Sequence, residues 1–220
     1  MDINLNKDAQ VRDSSELSSE SRVLRDTYRL LSYMLMSGAV AAFVSAMLSF
    51  PPINFFIVLA GFYGLIFMVN KSRNSPMAIV YAFALSFFMG IVLGPMIGSV
   101  LAIENGAGLI ANAFFLTAIS FFALSVYASN AKRDLSFLAG FLLVGFVVLM
   151  GAVIVSLFTS IPGMSMAISV GFILFSSAAI LFQTNAIVRG GEDNYVMAAV
   201  SLYISIYNLF TSLLSLMSRD

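Results

Sequence analysis

The sequence predicts an all-α membrane protein, a bundle of seven transmembrane helices preceded by a polar tail. Two observations predict this fold class. Of the 220 residues, 60% are hydrophobic and only 10% are charged, whereas soluble domains carry about 25% charged residues. In addition, seven apolar stretches follow one another, and most are near the roughly 20 residues that a helix needs to cross the hydrocarbon core. A soluble fold of this size would need a charged surface that the sequence does not supply.

The seven apolar stretches are separated by short connections that contain turn residues, such as Pro51-Pro52 and Gly190-Gly191. They are predicted to be helices because lipid offers the backbone no other partner, and they are too uniformly apolar for barrel strands. The predicted spans are 28–49, 53–69, 77–101, 108–129, 135–158, 165–187 and 195–217. Residues 1–27 form the predicted tail, and residues 28–220 form the bundle.

The tail contains charges of both signs and many serines, and no apolar region precedes Leu30. It therefore does not resemble a cleavable signal peptide, which has a short basic region followed by an apolar stretch. Its composition cannot bury enough apolar surface to order itself, so we expect a solvated, mobile segment.

The distribution of basic residues predicts the orientation of the bundle. Ten Lys and Arg residues lie on the tail and the even-numbered loops, and only Arg219 lies on the opposite side. Basic residues concentrate in cytoplasmic loops, so we expect the N-terminus inside and the C-terminus outside. The ten residues are Lys7, Arg12, Arg22, Arg25, Arg29, Lys71, Arg73, Lys132, Arg133 and Arg189.

The sequence offers little chemistry for catalysis. It contains no cysteine and no histidine, which removes thiolate nucleophiles, the commonest neutral-pH base and the commonest metal ligand. Apart from Arg29 at the edge of the first span, no ionisable Asp, Glu, Lys or Arg lies within a predicted span, which argues against a proton relay. No phosphate loop, zinc spacing or nucleophile motif is present. We therefore expect neither an enzyme, nor a cofactor, nor a metal site.

The last span carries a polar stripe. Its members are spaced four, three, four and three residues apart, which places them on one helix face; they are Ser201, Ser205, Asn208, Ser212 and Ser215. Tyr203 and Tyr207 lie on another face. A helix with two polar faces is poorly suited to lipid, so we expect it in the centre of the bundle. Hydrogen bonding between packed helices is the simpler interpretation, and a hydrated pathway is the alternative.

Two other spans carry weaker patterns. The sixth contains a polar row at seven-residue spacing, Ser169, Ser176 and Gln183. Gln183 is either a functional group or a residue that caps the end of its helix. The third repeats small residues at four-residue spacing, which predicts close approach of another helix; these are Ser86, Gly90, Gly94 and Gly98.

Two segments, residues 132–138 (KRDLSFL) and 201–210 (SLYISIYNLF), together with the seven spans, resemble the Bax inhibitor-1 (TMBIM) family. The stretches 180–184 (ILFQT) and 190–195 (GGEDNY) look closest to its bacterial YccA branch. This resemblance implies a fold with six helices around a central seventh, in agreement with the polar last span. It also implies an inner-membrane protein that binds and modulates FtsH, a membrane-anchored ATP-dependent protease.

A processive protease needs an unstructured end to grasp. The tail from Met1 to Asp26 is therefore a candidate handle for FtsH on the predicted cytoplasmic side.

The resemblance also implies an alternative function, a passive calcium leak. Some family members have an acidic residue on span six, another on span seven and an arginine near the end of span two. The matching positions here are Gln183, Ser205 and about Asn70. None of these side chains ionises, so the pH-sensing carboxylate pair is missing. The leading hypothesis is thus an interaction protein, and a cation leak is the alternative.

Overall fold

The computed structural model describes the backbone of residues 2–131 and 133–219, and the side chains of residues 22–131 and 133–219. These residues form seven α-helices and no strand, which confirms the predicted fold class. Six helices are long and apolar enough to cross a membrane, and α2 is shorter, with 17 residues. The helices are α1 (Asp2–Met47), α2 (Phe55–Lys71), α3 (Met77–Leu101), α4 (Gly106–Asn130), α5 (Leu138–Phe158), α6 (Met164–Val188) and α7 (Tyr195–Met217).

The predicted spans agree closely with these bounds. Spans three and seven coincide with α3 and α7, and α5 begins at Leu138 where the prediction placed residue 135. The first helix differs, because α1 begins at Asp2 and continues through the segment predicted as a tail. Met1 and the side chains of residues 2–21 lie outside the described residues, and the predicted mobility of this segment stays a prediction.

Helices α1 and α3 pack at a distance that only glycine permits. A Cβ added to Gly90 would overlap the carbonyl oxygen of Gly38 and lie 2.7 Å from the Cβ of Ala41. A Cβ on Gly94 would collide with the side chain of Ser45 and lie 2.9 Å from a backbone nitrogen of α1. Small residues allow such backbone approach in membranes. The close approach predicted for this row of α3 therefore occurs, and its partner is α1.

Pro95 lies inside α3, and α1 compensates for it. Proline has no N–H, so the carbonyl four residues earlier, that of Ile91, loses its helical partner. The hydroxyl of Ser45 on α1 donates a hydrogen bond to this carbonyl at 2.9 Å. Ser45 is buried. The packing of α1 against α3 thus satisfies the backbone group that the proline frees.

The last helix is the central one. α7 packs against α1, α2, α3, α4 and α6, whereas α5 contacts only α6. No residue of α5 is buried, and more than half of the most apolar segment of α7 is buried. The central seventh helix is therefore confirmed, while α5 stands outside and reaches the rest of the bundle through α6.

The even-numbered loops meet at one face of the bundle. The side-chain amide of Asn194, before α7, donates to the carbonyl of Arg73 in the loop between α2 and α3, at 2.7 Å. Asn185, near the end of α6, bonds to the backbone of the loop between α4 and α5. Arg219 lies at the opposite end, beside the beginning of α6. The basic loops counted in the sequence therefore share one side.

Candidate functional site

Polar side chains of α6 and α7 form a row along the contact between the two helices, which we call the α6–α7 seam. The two helices run antiparallel. Under the predicted orientation, the cytoplasmic half of α6 therefore lies beside the cytoplasmic half of α7. Hydrogen bonds between the two helices place six residues in the seam: Ser165, Ser169, Gln183, Ser205, Ser215 and Arg219. Helical spacing adds Ser176 to the same row of α6 and Ser201, Asn208 and Ser212 to the same row of α7.

At the end near the even-numbered loops, the structure brings Gln183 and Ser205 together. The Ser205 hydroxyl lies 3.2 Å from Oε1 of Gln183 and 3.0 Å from the carbonyl oxygen of Ser201. A hydroxyl has one proton, so it donates to one of these acceptors at a time. Ser205 is buried and Gln183 is half-buried. The two positions that the sequence resemblance assigns to the family's carboxylate pair are therefore in contact here as an amide and a hydroxyl.

At the opposite end, the guanidinium of Arg219 closes the seam. It donates to the hydroxyl of Ser165, to the hydroxyl of Ser215 at 3.1 Å and to the carbonyl of Ser215 at 3.0 Å. Ser169 lies 3.5 Å from the same guanidinium and 3.4 Å from the Ser215 hydroxyl. From the sequence, Arg219 was interpreted only as a charge that bears on orientation. Its contacts with these serines were not predicted.

The middle of the seam is less well paired than its ends. The Ser176 hydroxyl is fully buried and has no hydrogen-bond partner among the described residues. Ser176 lies midway along α6 between Gln183 and Ser169, which mark the two paired ends. Asn208 and Ser212 lie at the corresponding levels of α7, and the side-chain amide of Asn208 makes no hydrogen bond within the described part of the chain. Buried polar groups without protein partners are commonly bonded to water.

Tyr203 and Tyr207 lie on a separate face of α7, as predicted. The Tyr203 hydroxyl donates to the carbonyl of Ser86 on α3 at 3.1 Å, and the two tyrosine rings are 6.3 Å apart. A Cβ at Gly38 of α1 would lie 2.7 Å from the same hydroxyl. This tyrosine therefore ties the central helix to α1 and α3, and its role is structural.

Asn185 is a buried residue whose role the sequence did not indicate. Its Oδ1 accepts a hydrogen bond from the N–H of Leu135 at 3.0 Å, and its Nδ2 donates to the carbonyls of Ala128 and Arg133 at 3.3 and 3.5 Å. These contacts fix the loop between α4 and α5. The partners are 50 to 57 residues away along the chain, so no local pattern could have revealed them.

Asp134 lies on the same loop, outside the membrane-spanning segments. It accepts hydrogen bonds from the hydroxyl of Ser136 at 2.6 Å and from the N–H of Ser136 at 2.9 Å. These bonds, and to a smaller extent the nearby charge of Arg189, hold the pKa of Asp134 below its usual range. The carboxylate is therefore committed to the turn that leads into α5. Lys132, in the same loop, lies outside the described residues.

Asn70, the match of the family's arginine, is exposed near the end of α2. Among the described residues, no hydrogen bond links Asn70 to Gln183 or Ser205. No group of three or more acidic residues with metal-ligand geometry occurs in the described part of the chain. The seam thus presents hydroxyls and amides, and its charged groups lie at or beyond its ends.

Comparison with known proteins identifies the family. A family model described as "Inhibitor of apoptosis-promoting Bax1" matches residues 20–220. An uncharacterized protein of Pseudomonas aeruginosa is 52% identical over 202 residues, which cover 92% of this chain and 91% of that protein. A protein of Escherichia coli K12 named "Modulator of FtsH protease YccA" is 44% identical over 211 residues, 94% of this chain and 96% of the relative.

A further Escherichia coli relative with the same identity and coverage carries the name "Inner membrane protein YccA". Its name and the six long apolar helices agree with a multi-pass protein of the inner membrane. The match of the family model over nearly the whole chain and the identities of 44% and 52% show that this protein belongs to the Bax inhibitor-1 family.

Proposed function

We propose that this protein is a non-enzymatic interaction protein of the bacterial inner membrane, which binds the protease FtsH and changes the degradation of membrane proteins. The observation that carries the proposal is the identity of 44%, over 94% of this chain, to a relative named as a modulator of FtsH protease. The polar groups that α6 and α7 bring together are mainly hydroxyls and amides, which agrees with a non-enzymatic role. Hydroxyls and amides form hydrogen bonds, but they do not titrate near neutral pH.

The N-terminal segment is the part of the chain that we propose FtsH grasps. It comprises Met1 to Asp26 and precedes the buried part of α1, which begins near Thr27 and Leu30. Because α1 begins at Asp2, this use as a handle requires that the first turns of the helix unwind. The excess of basic residues on the even-numbered loops favours a cytoplasmic position for this end. A phosphatase that is active only outside the cytoplasm, fused after Asp220, is expected to be active. Cytoplasmic fluorescence from a reporter at the same position would contradict this orientation.

Affinity capture from native membranes tests the proposal. The tagged full chain is expected to retain FtsH after mild solubilisation, and an unrelated multi-pass protein with the same tag serves as the control. Absence of FtsH from the captured material, with the protease intact in the input, would overturn the proposed partnership.

A deletion tests the handle separately. Removing residues 2–26 is expected to lengthen the lifetime of this protein in cells that contain active FtsH. A variant in which the same residues are shuffled keeps the length and composition and should be degraded normally. An unchanged lifetime after deletion would exclude the handle, while capture of FtsH by the shortened chain would still support modulation.

The seam favours a second candidate function, a weak passive leak. The buried hydroxyl of Ser176, in the middle of the seam, has no hydrogen-bond partner among the described residues, as a hydrated segment would require. Both ends are closed in this conformation, by the contact of Gln183 with Ser205 and by Arg219. Calcium prefers carboxylate oxygens, and the seam supplies none, so we expect weak or no calcium flux from the unmodified protein.

Flux into liposomes separates the two candidates. The double variant Gln183→Asp with Ser205→Asp restores two neighbouring carboxylates, which in a low-dielectric site raise one pKa towards neutrality. We expect pH-dependent calcium entry from this variant between about pH 6 and pH 8. Strong pH-dependent calcium flux from the unmodified protein would make the passive leak the better supported function and the binding of FtsH the weaker one.

A further inference from the structure

A cavity of about 460 Å³ lies at the end of α4 that faces the even-numbered loops. Its walls combine the last turns of α4 with the loop that leads to α5, and they are both apolar and polar. The lining residues are Val126, Tyr127, Asn130, Ala131, Arg133 and Leu135. None of them belongs to the α6–α7 seam, so the cavity is a separate feature of the bundle.

The wall of this cavity is held in place from below. The buried side chain of Asn185 bonds to the backbone of Ala128, Arg133 and Leu135, which brackets the cavity loop on both sides. Leu135 is itself buried. The position of Arg133 is therefore set by the interior of the bundle, although its side chain is exposed.

Arg133 supplies an uncommitted positive charge at the cavity. Its guanidinium forms no hydrogen bond or ion pair with any described residue. The nearest acid in sequence, Asp134, is already engaged by the hydroxyl and N–H of Ser136 and is influenced by Arg189. An arginine without an acidic partner favours a phosphate, with which it can form two parallel hydrogen bonds.

Below the loop, the packing of the helices leaves a cleft between α4 and α5. α4 and α5 do not contact each other, and both pack against α6, which forms the floor between them. Both helices carry exposed apolar side chains, including Phe122 of α4 at 71% and Phe141 of α5 at 57% exposure. Tyr127, whose ring is also exposed, lies near the loop end of α4, where aromatic side chains commonly mark the membrane interface.

We propose that this cavity and cleft bind one anionic phospholipid, with its phosphate at Arg133 and an acyl chain against α4 and α5. The arrangement offers a positive group at headgroup level and an apolar groove directly beneath it, the order in which a phospholipid presents its own groups. Basic pockets between transmembrane helices are typical sites for anionic headgroups. A helix of another protein would fill the cleft without satisfying Arg133. The inference is independent of protease binding.

Quenching by brominated lipids tests the site, because the chain contains no tryptophan. Tyr127→Trp places a single tryptophan at the cavity wall of the full chain, which is reconstituted in vesicles of phosphatidylcholine and phosphatidylglycerol. Brominated phosphatidylglycerol is expected to quench about fivefold more effectively, per lipid present, than brominated phosphatidylcholine. Phe67→Trp, on the lipid-exposed surface of α2 near Lys71 and Arg73, serves as the reporter away from the cavity and should show little preference.

Matched charge removals identify the group responsible. Arg133→Gln is expected to abolish the preference at the cavity reporter, and Arg73→Gln, which removes the same charge from the neighbouring loop, should leave it unchanged. Equal losses for the two variants, or equal preference at the two reporters, would overturn the proposal in favour of general surface electrostatics. Loss of the preference on adding inorganic phosphate, compared with chloride at equal ionic strength, would show a phosphate site without a lipid. Failure of any brominated lipid to quench would show that no lipid reaches the cavity wall, and would also overturn the proposal.

Discussion

Helices α5 and α7 are similar in length, with 21 and 23 residues, but their environments are opposite. α5 is the most apolar of the six long helices, and none of its residues is buried. α7 is the least apolar of the six, and it is the most extensively buried. In a soluble protein the most apolar helix would be the most buried one, because the burial of apolar surface away from water drives folding there.

This difference shows what holds the bundle together. Lipid tails are as apolar as leucine, so an apolar helix gains little by leaving them. Close backbone packing and hydrogen bonds between helices supply the stabilisation instead. α7 offers the tyrosine that bonds to α3 and the serine that contacts Gln183. α5 offers neither kind of bond to the rest of the bundle, and its connecting loop is fixed by Asn185 of α6.

The largest expected effect on stability comes from replacing a glycine of α3 by valine, and the same substitution at a glycine of α5 serves for comparison. Gly90→Val would drive side-chain atoms into the backbone of α1, where the carbonyl of Gly38 leaves no space. Gly140→Val on α5 meets nothing within 4 Å. We expect Gly90→Val to lower the free energy of unfolding by roughly 3 kcal/mol or more, since overpacking against backbone cannot relax easily. Unfolding in mixed micelles measures both variants.

Gly140→Val is the control for the helix propensity of valine, which both variants share. If it destabilised the protein as much as Gly90→Val, α5 would have to be packed more tightly than its open surface indicates. The contrast between the two regions would then be wrong.

The second prediction concerns the link between α5 and the bundle. Asn185→Ala leaves the N–H of Leu135 and the carbonyl of Ala128 without their partner in a buried position. We expect a loss of about 2–3 kcal/mol in the free energy of unfolding, with increased hydrogen exchange confined to the loop before α5. Asn130→Ala is the matched control, because Asn130 is exposed and bonds only within α4. Exchange that increases equally along α7 would show that Asn185 stabilises the centre rather than the attachment of α5.

The third prediction compares two serines. Ser45→Ala removes the donor that satisfies the Ile91 carbonyl beside Pro95, and we expect a loss of about 1–2 kcal/mol. Ser156→Ala on α5 removes a bond to Val153 of the same helix, and its effect should stay within about 0.5 kcal/mol. Thermal unfolding in detergent ranks the two. A double variant that also changes Pro95→Ala should recover most of the loss, since the Ile91 carbonyl regains a backbone partner.

The sequence was sufficient to predict the helices but not which helices pack against each other. Span length and apolarity located α3 and α7 at their observed bounds, because lipid enforces helices of membrane length. The polar face of α7 predicted its central position for the same reason. The contact of Ser45 with Ile91 and the outlying position of α5 were not predicted. Both depend on which helices lie side by side, and the contact of Ser45 with Ile91 joins residues that are 46 positions apart in the chain.

The candidate site was predicted in part. The resemblance matched Gln183 and Ser205 to a pair of family positions, and the structure places the two side chains in contact. The helical spacing of the α7 stripe placed its members on one face. The cluster around Arg219 and the anchoring by Asn185 join the end of one element to another that is distant in sequence. No periodicity within a single helix carries that information.

The smallest expected effect concerns Asp134, at the turn before α5. Hydrogen bonds from Ser136 hold its pKa below the usual value, so the folded protein binds this proton less readily than the unfolded chain. The resulting stabilisation is complete above the unfolded-state pKa, near 3.9, and is lost as the pH falls through the lower folded-state pKa. Asp134 is fully exposed, so solvent screening keeps the effect small.

Asp134→Asn should therefore lower the unfolding midpoint slightly at pH 7, and the difference from the unmodified protein should vanish under acidic conditions. Ser136→Ala removes the hydroxyl donor and keeps the backbone N–H donor and the carboxylate. It should therefore shift the loss of stability part of the way towards the usual pKa of an aspartate. Thermal unfolding between pH 7 and pH 3 measures both. A difference that persists at the acidic end would mean that Asp134 acts through the shape of the turn and not through its charge. The turn before α5 would then be stabilised by its backbone conformation and by Asn185, without a contribution from the charge of Asp134. The difference between the weakly attached α5 and the hydrogen-bonded α7 would then be larger.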